Sequence, residues 1–297
     1  MQQDDVTPEA TPCDIWDVLP LGQTEARDLV ALSPKNDAGT RIQGVTGSGK
    51  TVLLRRLAIS ALSRGYEVIV IDAMRTSPSF LSPWLSGYSF DVAGAAAIMS
   101  DLVDELHRRR ELLQREGVGF WADLPSKARQ KNHITPLIII VDSYEDFVET
   151  ESQRGDHILF PEQVAEEESR NLDKVRVKVG LGRLLREGWS SGVSVVLAGQ
   201  NLHASSLTAE MDANLTSRVV LTTRETSQQT ISATFRDNAL AVTKLLELNP
   251  PSHLGSAVIS DSLGTRAFQV DFISESEALL ILDALDIPKP RKRYGQR

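Results

Sequence analysis

The stretch Gly44-Val45-Thr46-Gly47-Ser48-Gly49-Lys50-Thr51 fills every fixed position of the phosphate-loop pattern G-x-x-x-x-G-K-[ST]. Its three glycines allow a tight turn whose backbone N–H groups point at a polyphosphate, with no Cβ in the way. Lys50 would meet the β- and γ-phosphates, and the hydroxyl of Thr51, at the start of a helix, would complete the ligand shell of a Mg²⁺ ion. The predicted binding residues are Gly44, Thr46, Gly47, Ser48, Gly49, Lys50 and Thr51.

Composition and charge are those of a globular protein without a membrane anchor. The 297 residues are 41% hydrophobic and 24% charged, and no apolar run approaches the roughly 20 residues of a membrane span. Residues 1–12 show no signal or transit pattern, so a cytoplasmic location is predicted. The net charge of −8 argues against a broad nucleic-acid-binding surface, although a few local contacts are compatible with it.

Cysteine and histidine usage argues against two further kinds of site. Cys13 is the only cysteine, which excludes an internal disulfide and a thiolate metal cluster. The five histidines show no i, i+4 pairing around a carboxylate, so a metallohydrolase site is not expected.

The chain is predicted to form one α/β domain at 12–287, between a disordered tail at 1–11 and a frayed basic tail at 288–297, with an acid-rich flexible insertion near 150–172. The predicted strands lie at 40–44, 67–72, 136–142, 193–198 and 218–222, with one or two lead-in strands before residue 40 and two more within 256–272. The predicted helices lie at 51–64, 93–115, 172–187, 226–235 and 275–285, and residues 73–92 are predicted to be irregular.

The strongest predicted strand is 136–142, a continuous run of β-branched apolar residues that ends in Asp142. A buried strand that ends in an acid at this distance from a phosphate loop is typical of the Walker B element, whose aspartate orients Mg²⁺. Asp142 therefore joins Thr51 as a predicted metal ligand. Asp72 ends another predicted strand and Gln200 follows a third, so both are predicted to face the same crevice.

The order of these elements resembles the motor domain of the FtsK/SpoIIIE family of DNA translocases, which are RecA-like P-loop NTPases. The similarity spans roughly residues 18–286. Besides the phosphate loop, it is carried by the strand at 69–72, by Glu105-Leu106-His107-Arg108-Arg109-Arg110-Glu111-Leu112-Leu113, by Leu181-Gly182-Arg183-Leu184 with Val196-Leu197-Ala198-Gly199-Gln200, and by Asn214-Leu215-Thr216-Ser217-Arg218-Val219. The resemblance implies a mostly parallel central sheet flanked by helices on both faces.

The same resemblance implies a hexameric homo-oligomer that binds ATP at subunit interfaces and moves double-stranded DNA through its centre. Lys50 and Thr51 would then bind the phosphates and Mg²⁺, and Gln200 would sense the γ-phosphate. Arg218 stands where the family has an arginine able to reach a neighbouring subunit's nucleotide and stabilise transition-state charge. Arg109 is a second candidate for that arginine, although the triplet Arg108-Arg109-Arg110 is otherwise expected to be a solvated surface.

One position departs from the family pattern. The family's strand ends in D-E-F-A-D, with the glutamate as the base that positions the attacking water, whereas this chain has Asp142-Ser143-Tyr144-Glu145-Asp146. Ser143 cannot accept a proton at neutral pH, and losing a positioned base costs about 10²–10⁴ in rate. Glu145 would take over this role if the end of the strand bends.

Alternative functions remain open at this point. The first is a DNA-translocating ATPase, for example of a plasmid, phage or integrative element. The second is a nucleotide-binding structural or regulatory subunit of a translocase or type VII-like secretion assembly, with membrane-associated partners and little turnover of its own; Ser143 and the acidic charge favour it. The third is a P-loop kinase or unrelated NTPase, for which no acceptor-binding signature is visible.

Replacing Lys50 tests the placement of the site. Lys50→Ala is expected to abolish ATP binding or turnover, because the loop then lacks the ammonium that meets the β- and γ-phosphates. Steady-state ATP hydrolysis and binding of a fluorescent ATP analogue measure the change. Normal turnover in this variant would place the site elsewhere in the chain.

Overall fold

The computed structural model describes residues 18–75, 79–149, 161–200, 202, 206–251, 253–290 and 293–295, so the predicted tail at 1–11 lies outside the described residues. The strands are β1 (Leu19–Gln23), β2 (Leu29–Leu32), β3 (Gly39–Gln43), β4 (Glu67–Asp72), β5 (Gly87–Ser89), β6 (Leu137–Asp142), β7 (Val193–Gly199), β8 (Ser217–Leu221), β9 (Ser256–Asp261) and β10 (Gly264–Val270). The helices are α1 (Lys50–Leu62), α2 (Val92–Glu116), α3 (Ser126–Asn132), α4 (Tyr144–Val148), α5 (Pro161–Glu187), α6 (Ala209–Ala213), α7 (Gln228–Phe235), α8 (Ala239–Leu248) and α9 (Glu275–Ala284).

The strands form one sheet in the order β2-β1-β10-β9-β8-β3-β7-β6-β4-β5. From β8 to β5 neighbouring strands are parallel, whereas β9, β10, β1 and β2 extend the sheet in antiparallel pairs. The predicted α/β fold with a mostly parallel central sheet is confirmed. Because the parallel strands run in one direction, the carboxyl ends of β3, β4, β6 and β7 meet at one edge of the sheet, where ligands bind in open α/β folds.

The strand β6 shows why helices cover both faces of the sheet. Every residue of β6 is buried. Ile138 and Ile140 point into a core shared with α1 and α9, whereas Ile139 and Val141 point into a second core shared with α2 and α5. A strand that is apolar on both faces is stable only with apolar cover on each side. The prediction that helices flank the sheet on both faces is therefore confirmed.

The acid-rich segment is helical where the structure describes it. Residues 161–172 form the first turns of α5, so the prediction of a flexible insertion is wrong for them, and residues 150–160 lie outside the described residues. Proline, here the first residue of α5, is favoured at the first position of a helix. Further along α5, Val177 and Leu181 are buried in the core, and the Lys174 ammonium donates to the Glu149 carbonyl at 2.6 Å.

Residues 293–295 of the basic tail are docked rather than frayed, so this prediction is also wrong for them. Tyr294 is 2% exposed and packs into the core beside α2. Its backbone N–H donates to the Ser86 carbonyl at 2.7 Å, and its hydroxyl donates to a Glu67 carboxylate oxygen at 3.1 Å. The Gly295 N–H donates to the Asp101 carboxylate at 2.7 Å. The buried ring of Tyr294 and the hydrogen bond of its hydroxyl hold this segment against the core, although the neighbouring tail residues are polar.

Several short elements were not expected from the sequence. The edge strand β5 lies within the segment predicted to be irregular, and α3, α4, α6 and α8 were not predicted. The other strands and helices match their predicted positions to within a few residues, except the start of α5. None of the helices among the described residues is long and apolar enough to cross a bilayer.

Arg109 was expected on a solvated surface, but it is 2% exposed. Its guanidinium donates to the Glu105 carboxylate at 2.9 Å, one helical turn away on α2, and Arg108 binds the same carboxylate. Burial alone would raise the pKa of Glu105, but the hydrogen bonds and charges of the two arginines outweigh burial and lower this pKa from 4.5 to about 2. A buried arginine is tolerated only with such a partner.

This ion pair predicts a specific loss of stability in acid. A carboxyl group whose pKa is lowered by folding stabilises the fold above its unfolded pKa and loses that contribution as the pH falls toward the folded value. Between pH 5 and pH 3 the free energy of unfolding should therefore fall by about 2 kcal/mol more in the parent chain than in Glu105→Gln. Urea unfolding at the two pH values measures the difference. Glu111→Gln, an exposed position on the same helix, is the control and should behave like the parent; an equal fall in Glu105→Gln would contradict the assignment.

Candidate nucleotide-binding site

The loop between β3 and α1 has the backbone that the phosphate-loop pattern predicts. Gly47 and Gly49 adopt positive φ angles of 78° and 105°, which residues with a Cβ rarely adopt. A Cβ added at Gly44 would lie 2.5 Å from the Ser48 hydroxyl. The backbone conformation therefore favours glycine at positions 47 and 49, and a larger residue at position 44 would crowd the Ser48 side chain.

The loop fits a bound anion. The Ser48 hydroxyl is fully buried and has no hydrogen-bond partner within the described part of the chain. The Lys50 ammonium folds back over the loop and donates to the Gly44 carbonyl at 2.6 Å. The first N–H groups of α1 have no acceptor within the helix and form its positive end, which is suited to a phosphate group. A triphosphate would give the Ser48 hydroxyl and the first N–H groups of α1 an acceptor, and it would give the Lys50 ammonium a charged partner.

Two carboxylates lie close to the Lys50 ammonium. Burial lowers the pKa of Lys50, while the negative charges of Asp142 and Glu145 act in the opposite direction. Asp142 was predicted at this position, at the end of β6. Glu145 lies there as well, although it follows the strand by three residues.

The backbone at Ser143 explains how Glu145 reaches the site. Ser143 adopts a left-handed conformation, with φ 54° and ψ 49°, and its N–H donates to the Asp142 carboxylate at 2.9 Å. This single residue ends β6 and turns the chain directly into α4, which begins at Tyr144. The Tyr144 ring is fully buried, and its hydroxyl donates to the Ser206 carbonyl at 2.9 Å, which fixes the start of α4. The bend that would allow Glu145 to replace the missing glutamate is thus present.

Glu145 is held against the end of β7. The backbone N–H of Gln200 donates to a Glu145 carboxylate oxygen at 2.8 Å. A Cβ added at Gly199 would lie 2.4 Å from the other carboxylate oxygen, so a larger residue there would push the Glu145 carboxylate out of this position. The Gln200 side chain in turn donates to the Thr46 hydroxyl in the phosphate loop at 2.9 Å. The structure therefore brings Glu145, Gln200 and the loop together at one edge of the sheet.

Thr51 and Asp142 are the residues that could hold a Mg²⁺ ion. Thr51 lies in the first turn of α1, and Asp142 is 4% exposed beside Lys50. No group of three or more acidic, histidine or cysteine side chains suited to a metal occurs among the described residues. This donor set fits Mg²⁺, which usually binds one or two protein oxygens and takes its other ligands from phosphates and water.

The two arginines proposed to act across a subunit boundary are both engaged within the chain. Arg109 contacts the Ser191 carbonyl just before β7 begins, which places it at the opposite edge of the sheet from the phosphate loop. Arg218 is closer to the site, but its guanidinium donates to the Asp212 carboxylate at 3.0 Å and to the Thr234 carbonyl at 2.8 Å. The position of Arg109 argues against a contact with a neighbouring subunit's nucleotide, and Arg218 would have to leave Asp212 to make one.

Asp212 is the centre of a cluster of arginines that the sequence did not indicate. Arg41 and Arg218 both donate to one of its carboxylate oxygens at 3.0 Å, and the half-exposed Arg236 contacts the other. Burial opposes ionisation of this carboxyl, but the hydrogen bonds and charges of Arg218 and Arg41 outweigh it and lower the pKa of Asp212. The available signal was the pair of polar residues, Arg41 and Gln43, in a segment predicted to be a core strand.

A phosphate loop joined to a parallel sheet, with an aspartate at the end of a strand two places along, defines a P-loop NTPase of the RecA-like kind. No family model matches the chain. It is 27% identical over 225 residues to a sporulation regulatory protein of Streptomyces azureus, covering 74% of this chain and 67% of that protein. It is 24% identical over 279 residues to the ESX-4 secretion system protein EccC4 of Mycobacterium tuberculosis, covering 86% of this chain but 20% of EccC4.

Solved structures share the fold at low sequence identity. The pCW3 conjugation coupling protein TcpA, solved as a monomer with ATPγS, superposes on this chain with a TM-score of 0.72 at 18% sequence identity. The superposition covers 95% of this chain and 73% of the TcpA chain. The cytoplasmic domain of the type VII secretion ATPase EccC of Thermomonospora curvata superposes with a TM-score of 0.67 at 17% sequence identity. This superposition covers 97% of the present chain and 34% of the EccC chain. The chain thus has the fold of the FtsK/SpoIIIE-type P-loop motors, as its sequence resemblance predicted.

The arginine cluster predicts a large stability effect for one neutral substitution. Asp212→Asn would leave the buried guanidinium of Arg41 without its counter-charge, and removing one partner of a buried ion pair typically costs about 3–5 kcal/mol. Urea unfolding at neutral pH measures the loss. Asp237→Asn, an exposed carboxylate on the segment between α7 and α8, is the matched control and should change stability by less than about 0.5 kcal/mol. Equal stability of the two variants would contradict the proposed balance of charges.

Proposed function

We propose that this chain is an ATP-hydrolysing motor domain in which Glu145 replaces the glutamate that Ser143 has displaced. The observation that carries the proposal is the placement of the Glu145 carboxylate, hydrogen-bonded to the Gln200 N–H and close to the Lys50 ammonium. A carboxylate fixed at this edge of the sheet can accept a proton from a water molecule that attacks the γ-phosphate.

The other residues of the site have separate tasks in this proposal. Lys50 and the loop N–H groups bind and orient the phosphates, while Thr51 and Asp142 would hold a Mg²⁺ ion, which when bound neutralises phosphate charge. Gln200 bridges Glu145 and Thr46, so it would respond to the γ-phosphate beside the loop. The solved complex of TcpA with ATPγS supports nucleotide binding in this fold.

The motor is proposed to act as a homo-oligomer, namely the hexamer that the sequence resemblance implies. It would work on the cytoplasmic side of a membrane-associated assembly, and its substrate would be double-stranded DNA. The conjugation and secretion proteins that share the fold support such a setting. In a ring of subunits, Arg218 would have to break its ion pair with Asp212 before it could contact the nucleotide of the neighbouring subunit. The half-exposed Arg236 on the same carboxylate would then remain to neutralise Asp212.

A second candidate, a subunit of a secretion assembly that acts on a protein rather than on DNA, is favoured by a groove beside Glu145. This groove of about 780 Å³ lies between α4, α5, the start of α2 and the chain that follows β4. Six carboxylates line it, including Asp146 and Asp173, against the two cations Arg170 and Lys174. Such a lining repels nucleic-acid phosphates and suits a basic polypeptide segment.

ATP turnover with and without double-stranded DNA tests the proposed function. The parent chain should hydrolyse ATP, and DNA should raise the rate. Glu145→Gln should lower kcat by about 10²–10⁴ with binding of an ATP analogue retained, because a carboxamide cannot accept the proton. Ser143→Glu should not raise the rate, because the role is already filled. The control is Glu225→Gln, an exposed carboxylate beyond β8, which should leave kcat unchanged.

The possible results separate the candidate functions. Tight ATP binding without turnover in the parent chain would contradict the motor and favour a nucleotide-locked subunit. Turnover that DNA does not change would favour the secretion function. Turnover that survives Glu145→Gln would show that Glu145 is not the base.

A further inference from the structure

The central strand β3 carries two buried polar side chains on one face. Arg41 and Gln43 stand two residues apart, so they point to the same side of the sheet, and each is 3% exposed. Burying an amide or a guanidinium is costly unless its polar atoms find partners. An apolar side chain would serve packing at least as well at position 43, so its hydrogen bonds are the feature to explain.

The Gln43 carboxamide makes three hydrogen bonds. Its oxygen accepts from an Arg41 Nη atom and from the Thr234 hydroxyl, each at 2.8 Å. Its nitrogen donates to the Gln200 carbonyl at 3.1 Å. An arginine can only donate and a carbonyl can only accept, so these partners fix which end of the carboxamide is which. Gln43 therefore links the arginine cluster to the end of β7.

Gln200 is held from both sides as a result. Its carbonyl accepts from Gln43, and its backbone N–H donates to Glu145 at 2.8 Å. The bond to Glu145 has a fixed direction only if the main chain at Gln200 is itself fixed. Beyond Gln200, the described chain offers Leu202, whose carbonyl accepts from Arg41 at 2.9 Å. Arg41 and Gln43 together thus anchor the segment that carries the Glu145 contact.

We infer that Gln43 is a positioning residue for the attack on ATP: by fixing the main chain at Gln200, it holds the Glu145 carboxylate in its working orientation. This inference rests on the proposed role of Glu145. Gln43 does not touch the nucleotide loop through any hydrogen bond that the structure shows for its side chain, so its effect on the reaction is transmitted through Gln200. A misplacement of a reacting group by about 1 Å can cost 10²-fold in rate.

The substitution Gln43→Glu separates positioning from packing. A glutamate has the same shape and still accepts from Arg41 and Thr234, but its carboxylate cannot donate to the Gln200 carbonyl. The three arginines near Asp212 give this part of the core an excess of positive charge, which would balance a second carboxylate. Gln43→Met keeps the side-chain volume and removes all three hydrogen bonds of the carboxamide. This variant replaces Gln43→Glu in the test if Gln43→Glu does not fold. Thr234→Val is the matched control, because it removes a bond to Gln43 but leaves the bond to Gln200 in place.

Kinetic measurements form the first part of the test. With Gln43→Glu, kcat for ATP should fall by about 10- to 100-fold while KM changes by less than about 2-fold, since orientation of the base is lost but nucleotide binding is not. Thr234→Val should keep kcat within about 2-fold of the parent. In a Glu145→Gln background, Gln43→Glu should lower kcat no further. An additive loss in that background, or an equal loss with Thr234→Val, would overturn the inference.

Amide hydrogen exchange of the segment around Gln200 forms the second part and does not depend on turnover. In the nucleotide-free chain, exchange at the Gln200 N–H should become several-fold faster with Gln43→Glu or Gln43→Met, and should not change with Thr234→Val. Unchanged exchange in the two Gln43 variants would overturn the inference. If the parent chain shows no turnover at all, the proposed function fails, and the exchange result still decides whether Gln43 holds Gln200.

Discussion

Burial of β6 on both faces is the constraint on which the rest of the structure depends. Its apolar side chains alternate between two cores, so helices must cover each side of the sheet, and the residues of β6 before Asp142 are all apolar. Charged side chains can begin only where the strand ends. Asp142 is the first of these, and the loops that follow β3, β6 and β7 meet at the same edge because these strands are parallel. The position of the site is thus a consequence of how the core is covered.

The parts of the site that local sequence determines were predictable. The phosphate loop needs glycines at fixed positions, and a strand of continuous apolar residues before Asp142 indicates burial without knowledge of any partner. The sequence does not determine the position of Glu145, because this position depends on a single left-handed residue, Ser143, and on the space left by Gly199 on another strand. Serine adopts this conformation uncommonly, so the sequence alone could not fix the bend.

Other predictions are wrong because they infer exposure or flexibility of a segment from its charged residues alone. Arg109 was assigned to the surface and the end of the tail to a frayed terminus, yet Glu105 neutralises Arg109, and Tyr294 docks into the core. The acid-rich start of α5 looked flexible for the same reason. For Arg109 the deciding partner is a buried neighbour along the same helix, and for Tyr294 the deciding partners are distant in the sequence. Tertiary contacts of this kind leave little trace in composition.

The polar contacts of β3 connect two features that the sequence presents separately. Asp212 binds Arg218 and Arg41, and Arg41 binds Gln43, whose carboxamide holds the Gln200 main chain beside Glu145. A neighbouring subunit that drew Arg218 away from Asp212 would therefore change the charge balance around Arg41, the anchor of Gln43. Hydrogen bonds in a low-dielectric core strengthen or weaken one another, so such a change would be felt along the chain of contacts. If the chain acts as the proposed oligomeric motor, the same buried network would give it a physical route from a subunit contact at Arg218 to the carboxylate of Glu145.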